Sequence, residues 1–196
     1  MAADNNNNNH VTGPGIQMDG HASFNSRLIS RLSAAPSDMM VFLEACAMGN
    51  ISRVDSLLAK GVDVNTTGTP TADLLSGTSG LMMAAMSNQI EVVERLVRRE
   101  ELDINRQGLG QNSALTFAAS QGYTAILLLL LRSGADPNSS NSSGKTSLGL
   151  AADHVGMEDF MEIASNLVLA GCVGSDQDWE VLTRHPRFLS IIGNNE

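Results

Sequence analysis

The segment Gly144-Lys145-Thr146-Ser147 carries the residue types of a phosphate-binding loop, in which backbone amides and a lysine cradle an anion. Such a loop needs a glycine five residues before the Gly-Lys pair and a strand leading into it. Ser139 stands at that position, and the preceding residues do not read as a strand. His10, His21, His154 and His185 are the histidines, and none pairs with a cysteine or another histidine at metal-ligand spacing. Glu100-Glu101 and Glu158-Asp159 are adjacent carboxylates that read as solvated helix charges. Cys46 and Cys172 lie far apart, and Cys46 falls in an apolar stretch as a small buried hydrophobe. These residues predict no catalytic set, no metal and no cofactor. The irregular stretch 153–196, with His154, Asp159, Trp179 and His185, holds open the alternative of an enzyme or small-molecule site.

The elements that would position any such residues follow from composition and period. The chain has 196 residues, 42% hydrophobic but only 4% aromatic. A core of Leu, Ala, Val, Ile and Met suits stacked helices better than sheets, which favour β-branched and aromatic residues. Acids outnumber bases 21 to 12, for a net charge of −9. The excess lies after residue 36, because Asp4 and Asp19 balance Arg27 and Arg31 before it. An acidic surface repels phosphate backbones and anionic lipid, so neither nucleic acid nor membrane is expected as a partner. The longest apolar run, Ala125 to Leu131, is far short of the roughly 20 residues of a membrane span. The N-terminal residues show no basic start followed by an apolar run, and the expected location is cytoplasmic, nuclear or both.

Residues 1–36 form a polar tail with an Asn5–Asn9 tract, expected to be disordered. Within it, Phe24, Leu28 and Leu32 recur at helical spacing and mark a short helix over 24–32. After residue 36 the chain repeats itself. Phe42-Leu43-Glu44-Ala45-Cys46, Leu81-Met82-Met83-Ala84-Ala85, Leu115-Thr116-Phe117-Ala118-Ala119 and Leu148-Gly149-Leu150-Ala151-Ala152 superimpose. Ala45, Ala84, Ala118 and Ala151 are 39, 34 and 33 residues apart. After the first three come Val54 with Leu57-Leu58, Val93 with Leu96-Val97, and Leu127 with Leu130-Leu131, each an apolar stripe on one helical face. Gly61-Val62-Asp63-Val64-Asn65 and Gly134-Ala135-Asp136-Pro137-Asn138 then supply turn chemistry. A unit of this kind cannot bury its own apolar face and must stack on its neighbours.

The pattern resembles the ankyrin repeat, whose period is about 33 residues. Gly144-Lys145-Thr146-Ser147-Leu148 and Gly134-Ala135-Asp136-Pro137-Asn138 come closest to the family motif, and the resemblance covers 37–173. It implies an all-α solenoid of helix-turn-helix units joined by β-turn fingers, with repeats near 37–67, 77–106, 110–139 and 144–173. Residues 174–196 read as capping helices or a degenerate fifth repeat. The family's Thr-Pro-Leu-His tetrapeptide is degraded throughout. Its hydroxyl survives as Ser79, Ser113 and Thr146, each a candidate helix cap, whereas Met40 takes that place in the first repeat. About four extra residues between Ala152 and Leu167 predict a longer or irregular second helix in the fourth repeat.

The resemblance implies a binding module, an adaptor or stoichiometric regulator rather than an enzyme, which contacts a partner protein through a concave face and its fingers. The positions that map there include Met48, Met86, Ser87, Ser120, Gln121 and Asp153 after the alanine pairs. Leu75, Leu109, Asn112 and Lys145 map to the fingers. Met48 and Met86 are flexible apolar contacts, and Leu74, Leu75 and Leu109 are apolar where turns are usually polar. The expected partner segment is basic or apolar, and the expected isolated state is a monomer. A structural subunit of a stable complex is a further alternative. Asn65 and Asn138, each with a leucine eight residues before and an acid two before, resemble substrates of an asparaginyl hydroxylase.

Overall fold

The structure is a computed structural model that describes residues 37–68, 77–154, 156–176 and 178. The tail 1–36 with its expected helix, the finger residues 69–76 and the segment beyond 178 lie outside the described residues.

Among the described residues the chain forms helix pairs and no extended strand. They are α1 (Asp38–Met48) with α2 (Ile51–Ala59), α3 (Gly80–Met86) with α4 (Ile90–Val97), α5 (Ala114–Gln121) with α6 (Thr124–Arg132), and α7 (Ser147–His154) with α8 (Met157–Leu169). The two helices of each pair pack together, and each pair packs on the next. First helices form one row, α1 on α3 on α5 on α7, and second helices form another, α2 on α4 on α6 on α8. The paired alanines explain the close first row. Ala84, Ala85, Ala118, Ala119 and Ala151 are all buried, because a methyl side chain lets neighbouring helices approach. The second row buries the stripe Val54, Leu57, Val93, Leu96, Leu127 and Leu130.

Hydroxyls start the helices as expected. Ser79 Oγ accepts from Met82 N at 3.3 Å. Ser113 and Thr116 form a reciprocal box, with each side chain accepting from the other's backbone amide. Thr146 Oγ1 accepts from Leu148 N. In the first repeat the cap is Ser37, whose hydroxyl accepts from Met40 N. Met40 therefore lies inside α1, which is 11 residues long against 7 for α3. The α8 helix runs 13 residues, against 9 for α6, and absorbs the extra residues of the fourth repeat.

Asparagine ties join consecutive turns. Asn65 Nδ2 donates to Glu101 O while its Oδ1 accepts from Asp103 N, at 2.7 and 2.8 Å. Asn105 bonds Gly134 O and Asp136 N in the same way, and Asn138 bonds Gly171 O and Val173 N. Asp63 and Asp136 hold the turns themselves by accepting from Asn65 N and Asn138 N. Gly134, at φ 93°, closes α6 in a conformation that a β-carbon disfavours. An antiparallel bridge between Thr67 and Ser79 starts the second finger.

Candidate partner-binding face

Each first helix touches its second helix on one side and neighbouring first helices on its flanks, which leaves one stripe only partly covered. On α5 that stripe is Phe117, Ser120 and Gln121, at helical spacing i, i+3, i+4, and all three are half-buried. On α1 it is Val41 and Glu44, half-buried, and Met48, which is 49% exposed. On α3 only Met86 is half-buried, because the rest of that helix is in the core. On α7 the exposed residue is Asp153. The stripe thus runs Met48, Met86, Phe117 with Glu44 and Asp153 toward its ends. Its character is apolar and acidic.

The expected contact residues fall on this stripe or beside it, with exceptions. Ser87 is buried, so its side chain is not offered to a partner. Leu75 lies outside the described residues, as does the side chain of Leu109, whose backbone forms a short 3-10 turn, Leu109–Gln111. Asn112 is half-buried in the same finger. The third and fourth fingers touch, since Ser142 N donates to Gly110 O at 2.7 Å and Gln107 Nε2 donates to Ser140 O at 2.9 Å. Phe117 is the residue that motif reading passed over. Its spacing from Ser120 and Gln121 was the available signal.

The phosphate-loop candidate resolves into structure. Lys145 pairs with Asp153 through a charge-assisted contact, and the Thr146 hydroxyl donates to Asp178 Oδ2 at 2.7 Å. Cys46 is fully buried, and burial pushes its thiol well above its ordinary value of 9.0. Burial also pushes the Cys172 thiol up, opposed by hydrogen bonds with Gly174 and Thr146. Neither is a reactive thiolate. Among the described residues no group of three or more His, Cys, Asp or Glu could hold a metal ion. Of the alternative catalytic set, Asp159 is exposed, while Trp179, His185 and the His154 side chain lie outside the described residues. Asn65 and Asn138, the hydroxylation candidates, have both amide atoms engaged in the ties between turns. Among the described residues no helix is long and apolar enough to cross a membrane.

Comparison with known proteins gives the same architecture. The family model described as Ankyrin repeats (3 copies) matches residues 42–141 and 81–172, together more than half of the chain. A putative ankyrin repeat-containing protein of Treponema pallidum is 34% identical over 125 residues, which is 60% of this chain and 41% of that protein. A palmitoyltransferase of Lachancea kluyveri is 33% identical over 109 residues, 55% of this chain and 14% of its own length. An E3 ubiquitin-protein ligase of Arabidopsis thaliana is 34% identical over 101 residues, 51% of this chain and 6% of its own. The match therefore spans well under half of each of these relatives.

Proposed function

The chain belongs to the ankyrin-repeat family, whose repeats generally mediate protein–protein interaction, and we propose that it acts as an adaptor or stoichiometric regulator that holds a partner protein along its first-helix face. The observation that carries this reading is the stripe of the exposed Met48 and the half-buried Met86 and Phe117, flanked by Glu44 and Asp153. Methionine and aromatic side chains adapt to and bury against an apolar surface. The Glu44 carboxylate favours a partner segment with apolar anchors and basic neighbours, whereas the Asp153 charge is matched by Lys145. The isolated chain is a monomer in this reading, and it works in the cytoplasm or nucleus. The palmitoyltransferase and ligase names belong to proteins of which the match covers 14% and 6%, and their chemistry is not carried over.

The test is recovery of partners from native lysate with the full chain and with Met48, Met86 and Phe117 each replaced by Asp. A side chain buried at such an interface contributes about 1–4 kcal/mol. At least one partner should therefore be lost in two or more of the variants while helicity is unchanged. An unaltered set of partners in all three contradicts the reading. Asn65 and Asn138 remain proposed as sites of hydroxylation, on the strength of their turn pattern. An added oxygen in the peptide carrying either asparagine, read by mass after exposure to the enzyme, is the supporting result. Because both amides are tied to the next turn, modification requires that turn to open first.

A further inference from the structure

The fourth finger closes on itself at its base. Asn141 N donates to Lys145 O at 2.9 Å, and Gly144 N donates to Asn141 O at 2.9 Å. The Asn141 side-chain oxygen accepts from Ser143 N and from Lys145 N, at 3.0 and 3.1 Å. Ser142, Ser143 and Gly144 are thus the tip of a short loop whose two ends are bonded to each other. The four serines in this finger differ. Ser139 and Ser140 are half-buried, and Ser139 Oγ accepts from Gln107 Nε2 at 3.1 Å. Ser142 is exposed, but its amide is bonded to Gly110 O of the third finger. Ser143 is exposed at the apex, and its amide is bonded within the loop.

Lys145 leaves the base of the same loop and pairs with Asp153 of α7, each side chain being 26% exposed. Among the described residues no first helix carries a lysine or an arginine. The base opposite Asp153 therefore comes from the finger and not from the helix row. Ser143 and Lys145 are two residues apart, so their α-carbons are separated by at most about 7 Å. The flexible four-carbon stem of a lysine spans that distance. An anion on Ser143 is within reach of the ammonium that Asp153 now holds.

We propose that Ser143 is a phosphorylation site and that its phosphate switches Lys145 away from Asp153. The donor is a nucleoside triphosphate, delivered by a protein kinase that reads a base two residues after its serine. The Ser143 Oγ–P bond forms, and the bond from the γ-phosphorus to the β,γ-bridging oxygen breaks. The nucleoside diphosphate leaves, and the hydroxyl proton passes through the kinase's base to solvent. The phosphate carries a charge of about −1.5 to −2 and three acceptor oxygens. It outcompetes a single carboxylate for the ammonium. Asp153 is then left without its counter-charge, and the fourth-repeat end of the first-helix face turns from a matched pair to acidic. That consequence rests on the partner-binding reading of the face, and it makes the face more attractive to a basic segment.

The site is tested by incubating the full chain in native lysate with magnesium and ATP, followed by trypsin. Cleavage at Arg132 and Lys145 isolates residues 133–145, and fragmentation should place one phosphate on Ser143. A peptide that never carries phosphate there refutes the site. The switch is tested with phosphoserine encoded at position 143, with and without Lys145→Met, by following the phosphorus resonance against pH. The phosphate midpoint should lie about half a unit lower with Lys145 present, and equal midpoints refute the switch. Recovery of a partner that depends on Met86 should rise about fivefold with phosphoserine, and an unchanged or lower recovery overturns the regulatory role. Phosphate incorporation and its titration do not use the partner face, so failure of that face and failure of this site are told apart.

Discussion

Ser147 carries a fully buried hydroxyl that has no hydrogen-bond partner among the described residues. It sits at the first position of α7, where the backbone amide needs no intrahelical acceptor and where the family motif carries proline. A buried hydroxyl without a partner keeps its desolvation penalty with no compensation. Ser147→Ala removes that penalty and leaves a cavity of one oxygen atom. The expected result is a gain of about 1 kcal/mol in chemical denaturation, and a loss of stability would show that the hydroxyl has a partner. Thr146, next to it, is the opposite case. Its hydroxyl accepts from Leu148 N and donates to Asp178, so it satisfies both a helix start and a buried carboxylate. The charged residues on the outer row matter less. Arg95 and Asp55 pair at 3.1 Å between α4 and α2, but both are substantially exposed, and such pairs contribute about 0–1 kcal/mol.

The helices are short, and α3 with 7 residues could not persist alone. Packing between pairs carries them, and α1 and α3 approach closely. A β-carbon on Gly80 would lie 2.6 Å from Phe42 Cε1 and 3.0 Å from Cys46 Sγ, both in fully buried side chains. Two effects oppose each other in Gly80→Ala. Helix propensity gains about 1 kcal/mol, whereas overpacking a filled core costs about 1–3 kcal/mol. Because the Phe42 ring is enclosed and cannot swing away, the packing term wins. The expected outcome is a net loss of about 1–2 kcal/mol in denaturant unfolding, and a stabilised variant would mean that the first two repeats have slack between them. Where side chains do meet across repeats outside the core, they form specific seams. Gln89 Nε2 donates to Ala47 O at 3.2 Å, and this fills the space beside Gly49 that lines the shallow depression between the first two repeats.

At the scale of the whole molecule, the stack was legible because its signals repeat. Alanine pairs and apolar stripes recur from copy to copy, as do the Asp-x-Asn turns of the first three, and each copy corroborates the others. The hydroxyl caps of three repeats were legible for the same reason. Features that occur once were not. Ser37 caps α1 because that helix is longer than its counterparts, and no repeat comparison points to it. Asp178 meets Thr146 across 32 residues, a contact that only the folded chain brings about. Phe117 is half-buried and packs against the edge of the core, whereas Met83 at the aligned position is fully buried, a difference that only the folded chain brings about. Ser87 is the converse, a polar residue at an outward-facing motif position that packing buries.

The central claim is that partners meet the first-helix row. A photoreactive amino acid placed singly at Met86 or Gln121, and at Lys60 or Arg132 on the second-helix row, measures this in native lysate. Covalent capture of the same partner from Met86 and Gln121, with none from Lys60 or Arg132, is the expected result. Capture of that partner from Lys60 or Arg132, with none from Met86 and Gln121, contradicts it.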